Sequence, residues 1–171
     1  MEEGYPEIPE FLKELIDTGE ALDEIMIDRE GNWFHNNEPF TNKRIKDFFN
    51  RHLDVTSEGV YVISYNRFVY PITVEDVPLF VTGVRFIGNG ISEKTLITIS
   101  SSIEEELDID TLQYNKKNNA LYCHVKNGKL PAKFKRSPSF QVLERLEESD
   151  DTFYLNISGK KIVLSEKMNN E

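Results

Sequence analysis

Residues Asp23–Leu53, DEIMIDREGNWFHNNEPFTNKRIKDFFNRHL, constrain the fold more than any other stretch, because they join two short strands, a tight turn and an amphipathic helix without interruption. Ile25 and Ile27 alternate with Met26. Asp28-Arg29-Glu30-Gly31 then supplies a turn ending in a residue that takes positive φ at no steric cost, and Asn32-Trp33-Phe34-His35 resumes an extended run. The pattern predicts a hairpin. Pro39 ends it, having no N–H for a ladder and disfavouring the helical region in the residue before it. Thr41 is the expected N-cap of a helix with Ile45, Phe48, Phe49 and Leu53 at three- and four-residue spacing, and Lys43, Arg44, Lys46, Asp47, Asn50 and Arg51 on the other face.

A weaker copy of this unit is expected at Thr111–Leu146: strands around Leu112–Tyr114 and Ala120–Val125, a third from Lys129, then a helix over Pro138–Glu147 capped by Ser137-Pro138-Ser139 and carrying Phe140, Leu143 and Leu146. Each unit is followed by a hairpin signal, at Tyr65-Asn66 and at Ser158-Gly159. Between them lie a joint, Val74-Glu75-Asp76-Val77-Pro78, a long strand over Leu79–Ile87 and another over Lys94–Ser100. Ile103–Asp110 reads equally as a helical turn or a solvated connector. The expected fold is α+β, with two structurally similar halves, each a small antiparallel sheet packed with a helix, plus a short N-terminal helix over Pro9–Asp17. The boundaries are 1–22 for that helix and its linker, 23–103 and 104–165 for the halves, and 166–171 for a frayed tail.

A chain of 171 residues is long enough to bury a core without staples, and eleven Phe and seven Tyr supply much of its apolar area. A net charge of −10 argues against nucleic acid or an anionic membrane surface as a partner of the whole molecule. The longest strand-like segment, Val77–Ile87, is interrupted by Thr82, Gly83 and Arg85, so no membrane span is expected. With a single cysteine, Cys123, and no basic-then-apolar leader at the N-terminus, the chain reads as cytoplasmic.

Three segments carry a family resemblance: Ile27-Asp28-Arg29-Glu30-Gly31-Asn32-Trp33-Phe34 with Pro39 behind it, Ile72-Thr73-Val74-Glu75-Asp76-Val77-Pro78-Leu79, and Tyr122-Cys123-His124-Val125-Lys126-Asn127-Gly128. From about Ile25 to Leu146 the chain resembles the bacterial family called domain of unknown function 1285. The resemblance implies two structurally similar halves and a ligand-binding or signalling role, and it carries no catalytic residue over to this chain.

Trp33, Arg44, Asp76 and Arg85 are the ligand-binding candidates. Trp33 would serve as the aromatic wall of a pocket or, alternatively, as core. Glu75 and Asp76 are adjacent carboxylates in an extended joint, so one is directed toward the buried layer and needs a partner; Asp76 is the choice, with Arg44 or Arg85 as its cation. No metal site is expected, because His35, His52 and His124 form no pair at ligand spacing and a site from His35, His124 and Cys123 would need both halves to converge. No cofactor is called for: Gly88-x-Gly90 lacks a third glycine and a following helix, and Ser100-Ser101-Ser102 has no neighbouring histidine. Lys126, Lys129, Lys133, Lys135 and Arg136 form a basic run that reads as a solvated face or as a receiver of a phosphate-bearing ligand or acidic partner. The reading is a ligand-binding or regulatory module, of the signal-transduction kind, without catalysis. Its partner is an unidentified small molecule or protein, and no signal of oligomeric state is present. A protein-interaction module is the alternative, and an enzyme using Glu75 and Asp76 with an arginine is the second.

Overall fold

The computed structural model describes residues 24–66, 68–163 and 168–169, so the helix expected over Pro9–Asp17 lies outside the described residues. The chain divides into two compact units, one ending at Pro78 and one beginning at Leu79.

In the first unit, β1 (Ile25–Ile27), β2 (Trp33–His35), β3 (Glu38–Pro39) and β7 (Thr73–Val74) form a sheet in the order β3-β2-β1-β7. The register Ile27↔Trp33 and Ile25↔His35 turns Ile25, Ile27 and Trp33 to the core, while Met26 and Phe34 share the other face. Helix α1 (Lys43–Arg51) follows β3. Its N-cap is Asn42 rather than the expected Thr41, because the Asn42 side chain accepts from the backbone N–H groups of Arg44 at 3.0 Å and Ile45 at 3.4 Å. Phe48 and Phe49 are fully buried, a contribution of roughly 1.5–3 kcal/mol each. The helix stops at His52, whose Nδ1 donates to the Phe48 carbonyl at 2.8 Å, and β4 (Leu53–Val55) begins at once. With β5 (Tyr61–Tyr65) and β6 (Phe68–Pro71) it makes a second, three-stranded sheet.

The second unit contains β8 (Leu79–Ile87), β9 (Lys94–Ile99), β10 (Glu104–Glu106), β11 (Gln113–Asn115), β12 (Ala120–Val125), β13 (Leu130–Phe134), helix α2 (Arg136–Leu143), β14 (Leu146–Ser149), β15 (Thr152–Ile157), β16 (Lys160–Val163) and β17 (Met168–Asn169). Seven of these strands form one sheet, β10-β9-β8-β13-β12-β11-β17. It is strongly curled, since the Glu105 carboxylate on edge strand β10 accepts from the backbone N–H of Lys126 beyond β12 at 3.1 and 3.4 Å. Leu79, Val81, Ile97, Ile99, Leu121, Cys123, Val125, Leu130 and Ala132 fill its concave side. Strands β14, β15 and β16 form a separate sheet, fastened to the β8–β9 hairpin by Glu93, which accepts from Arg145 at 2.9 Å and from the backbone N–H of Ser158 at 3.1 Å. The Arg145 guanidinium lies 3.8 Å from the centroid of the Phe86 ring.

These observations correct the expected architecture. Among the described residues strands dominate, in four sheets, two per unit, so neither unit is a small sheet packed with a helix. One run of pairing is common to both: β3-β2-β1-β7 and β13-β12-β11-β17 are each an antiparallel meander closed by a returning parallel strand. The second meander is fused into a larger sheet because Leu79, Phe80 and Val81 pair in parallel with Ala132, Lys133 and Phe134, and all three β8 residues are buried, as parallel strands generally are. The division expected between residues 103 and 104 therefore falls inside the antiparallel β9–β10 pair. Residues 104–106 are a strand, not a helical turn, and are followed by a 3-10 turn at Ile109–Thr111. Helix α2 starts from Lys135, with Ser137-Pro138-Ser139 inside its first turn, and it ends at Leu143; Leu146 belongs to β14, opposite Leu155. Met168–Asn169, within the segment read as a frayed tail, pairs with Tyr114 and Asn115.

Candidate functional site

The residues named from sequence lie in different settings. Trp33 points into the first unit at 3 % exposure; its indole N–H donates to the Asn50 side-chain oxygen at 3.2 Å and its ring lies 5.1 Å from that of Phe49. Arg44 stands on the exposed side of the first turn of α1. In the joint, the Glu75 backbone N–H donates to the Ile27 carbonyl and its carboxylate accepts from the Arg29 N–H at 3.1 Å, tying β7 to the β1–β2 turn. Within that turn the Asp28 carboxylate accepts from the N–H groups of Glu30 at 2.9 Å and Asn32 at 2.8 Å. Partial burial pushes Asp28 upward, but the side-chain and backbone bonds from Asn32 and its neighbours outweigh it and hold the carboxyl below its ordinary value. Asp76 is half-buried near Tyr61, whose hydroxyl is pushed up first by burial and then by the Asp76 charge. Arg85 belongs to the second unit and grips Glu104 with both arms, at 2.8 and 2.6 Å. That grip raises Arg85 and lowers Glu104 from their ordinary values, hydrogen bonding being the main cause in each.

In the second unit, neighbours in sequence are sorted to opposite faces. Cys123 is buried on the concave side, where burial, and then the charges of Glu105 and Asp108, push its thiol up to about 12. His124, next to it, faces out. Its backbone N–H donates to the Thr111 hydroxyl at 2.9 Å, which in turn donates to the Asp108 carbonyl at 2.7 Å. Cys123 and His124 thus cannot serve one metal, and among the described residues no group of three or more His, Cys, Asp or Glu is placed to hold one.

The convex face shows what the strand register assembles. Gln113 opposes Tyr122, Tyr122 opposes Lys133, and Lys133 opposes Phe80, so four residues from β11, β12, β13 and β8 form one line across the sheet. His124 opposes Pro131 beside it. Tyr122, His124 and Lys133 are half-buried, and the Lys135 ammonium lies 4.7 Å from the centroid of the Phe80 ring. The Asn118 side-chain amide donates to the Tyr122 oxygen at 2.7 Å, which directs the phenolic hydrogen elsewhere.

This topology is also found among solved structures. A DUF1285 family protein from Silicibacter pomeroyi superposes with a TM-score of 0.69 at 22% identity, over 84% of this chain and 80% of that one. A second, from Shewanella baltica, gives 0.57 at 16% identity, over 71% of this chain and 91% of that one. The fold is the DUF1285 fold. No family model matches the sequence, and no curated protein does. Within this DUF1285 fold, the basic run named from sequence is dispersed. Lys133 is in the convex row and Lys135 beside it, Lys126 and Lys129 are at the β12–β13 turn, and Arg136 opens α2 with its guanidinium 5.5 Å from the Phe140 ring centroid. Gln113 and Tyr122 are not among the candidates read from sequence, and His124 is weighed there only as a metal ligand; the alternation in Leu121–Val125 signals that Tyr122 and His124 face out, but not which strand lies next to them.

Proposed function

We propose that this chain is a ligand-binding module without catalysis of its own, and that the ligand seats on the convex face of the seven-stranded sheet. The reading rests on the line Gln113, Tyr122, Lys133 and Phe80, where an amide, a phenol and an ammonium are brought to one face from separate strands. A few polar groups brought together on one face are what orient a small ligand. Two of the groups that the enzyme reading would use are engaged in the fold: Glu75 with the Arg29 N–H and Arg85 with Glu104. A regulatory output has a short route, because Lys135 over Phe80 is the residue from which α2 starts. A ligand that binds only the native state raises the melting midpoint by mass action, so a metabolite library spanning anionic, neutral and cationic compounds is the direct test. At least one class should raise the midpoint of the parent, and Tyr122→Ser should remove that rise, read against the variant's own unliganded midpoint. A response that survives Tyr122→Ser places binding elsewhere and refutes the convex-face reading.

A further inference from the structure

We infer that Asn89, at the tip of the β8–β9 hairpin, is a site of spontaneous covalent modification, in which the backbone nitrogen of Gly90 closes on the Asn89 side-chain amide. The chain has two Asn-Gly pairs, Asn89-Gly90 and Asn127-Gly128, and both are exposed in hairpin connections. In each the glycine lacks the side chain that would shield its nitrogen, and no heavy atom beyond its chain neighbours lies within 4 Å of where a Cβ would be. Space therefore does not separate the two pairs, and backbone conformation does. Ring closure needs the glycine nitrogen alongside the asparagine Cβ. Asn89 is extended, with φ −152 and ψ 165, and its side chain makes no capping hydrogen bond to the turn at Gly90–Ser92. Its carbonyl accepts from the Ser92 N–H at 3.2 Å and from the Ser92 hydroxyl at 2.9 Å. That carbonyl shares a peptide group with the Gly90 N–H, so both bonds draw charge from nitrogen to oxygen and stabilise the deprotonated amide that attacks. Asn127 is held differently. Its φ is +57, Gly128 follows at +79, and the Lys129 N–H closes the turn on the Lys126 carbonyl at 3.2 Å. In such left-handed backbone the following nitrogen starts on the side of the Cα–C bond away from Cβ, and closure requires the turn to open.

The reaction needs only water and hydroxide. Hydroxide takes the Gly90 amide proton, the nitrogen bonds to the Asn89 Cγ, and the Cγ–Nδ2 bond breaks; ammonia leaves with a proton from water, and a succinimide remains. Water then opens the ring. Attack at Cγ leaves an aspartate, and attack at the backbone carbonyl leaves an isoaspartyl link that carries the chain through Cβ and Cγ and is a carbon longer. Either product puts a negative charge where a neutral amide stood. The change falls close to two contacts that fasten the hairpin to the β14–β16 sheet. The Ile91 carbonyl packs on Gly159, 2.7 Å from where a Cβ there would be, and Glu93 holds Arg145 and the backbone N–H of Ser158. A slow reaction driven by solvent thus acts on the joint between the two sheets of the second unit.

The test is incubation of the full chain at mildly alkaline pH, followed by digestion. Mass spectrometry reads the replacement of an amide NH2 by OH in each Asn-Gly peptide, and chromatography separates the aspartyl and isoaspartyl products. Asn89 is expected to convert about tenfold faster than Asn127 in the folded protein, a ratio equivalent to about 1.4 kcal/mol of barrier, and at about the same rate as Asn127 in concentrated urea. Ser92→Ala removes the hydroxyl bond and keeps the backbone one, so it should slow Asn89 about threefold and leave Asn127 unchanged. Asn89→Gln should abolish conversion in its peptide. If Asn127 converts as fast as Asn89 in the folded protein, or if Ser92→Ala converts at the parent's rate, the inference is overturned. A preference for Asn89 that persists undiminished in urea overturns it too, because the selectivity would then lie in the neighbouring residues and not in the fold.

Discussion

Trp33 and Asn50 lend themselves to a double-mutant cycle. The indole N–H donates 3.2 Å to the Asn50 oxygen, and the two residues are 3 % and 8 % exposed, so neither partner has ready access to water. Asn50→Ala leaves the indole N–H buried without an acceptor, at a cost of about 1–3 kcal/mol. Trp33→Phe removes the donor and part of the ring; lost transfer energy and the residual cavity together cost about 2 kcal/mol, with the Asn50 oxygen stranded in addition. In the double variant neither polar group is left over, so its loss should fall short of the sum of the singles by about 1 kcal/mol or more. Urea unfolding followed by circular dichroism is the assay, because Trp33 is the only tryptophan and emission disappears in half of the cycle. Additivity within about 0.5 kcal/mol would show that the bond contributes nothing specific, and that Trp33 is held by packing against Phe49 alone.

Asp28 has a depressed folded-state pKa, so its stabilisation is present above the ordinary value of 3.8 and is lost as pH falls through the folded one; Asp28→Asn should flatten the acid limb of a melting-midpoint curve, and an unchanged limb would contradict the capping role. Gly159 sits at φ +69 with the Ile91 carbonyl 2.7 Å from where a Cβ would be, so Gly159→Ala should cost at least about 1–3 kcal/mol in chemical denaturation; a neutral effect would mean that the hairpin tip yields freely. Ser101 has a buried hydroxyl without a hydrogen-bond partner among the described residues, and Ser101→Ala should raise stability by about 1 kcal/mol, whereas a loss of that size would reveal a bound water holding the hydroxyl.

Local signals in the sequence were read where one element decides its own structure. Ile45, Phe48 and Phe49 recur at helical spacing and lie on α1, and the run Leu79–Ile87 is β8 over those residues. What was illegible depends on partners far away in the chain. Three successive glutamates at 104–106 have no strand propensity of their own; they are extended because Ile97 and its neighbours pair with them and Arg85 neutralises Glu104. Leu146 continues the three-residue spacing of Phe140 and Leu143, yet Leu155 captures it into a strand, while Phe140 is left exposed. The convex row was hidden for the same reason, since Lys133 and Phe80 become neighbours only through a parallel register that no local pattern encodes.

The returning strand β7 bears on synthesis. Met26 and Ile27 wait for Thr73 and Val74, but once residue 78 has been made every pairing partner of the first unit exists, and it can close while the rest of the chain is still being translated. The second sheet has no such early stopping point. Strand β8 is made first but finds its parallel neighbour only at residues 132–134, and β11 completes its pairs only when residues 168–169 emerge. Until then Leu79, Phe80 and Val81 form an apolar strand with one side unpaired, which makes the interval between the two events the window in which a ribosome-bound chaperone would matter most.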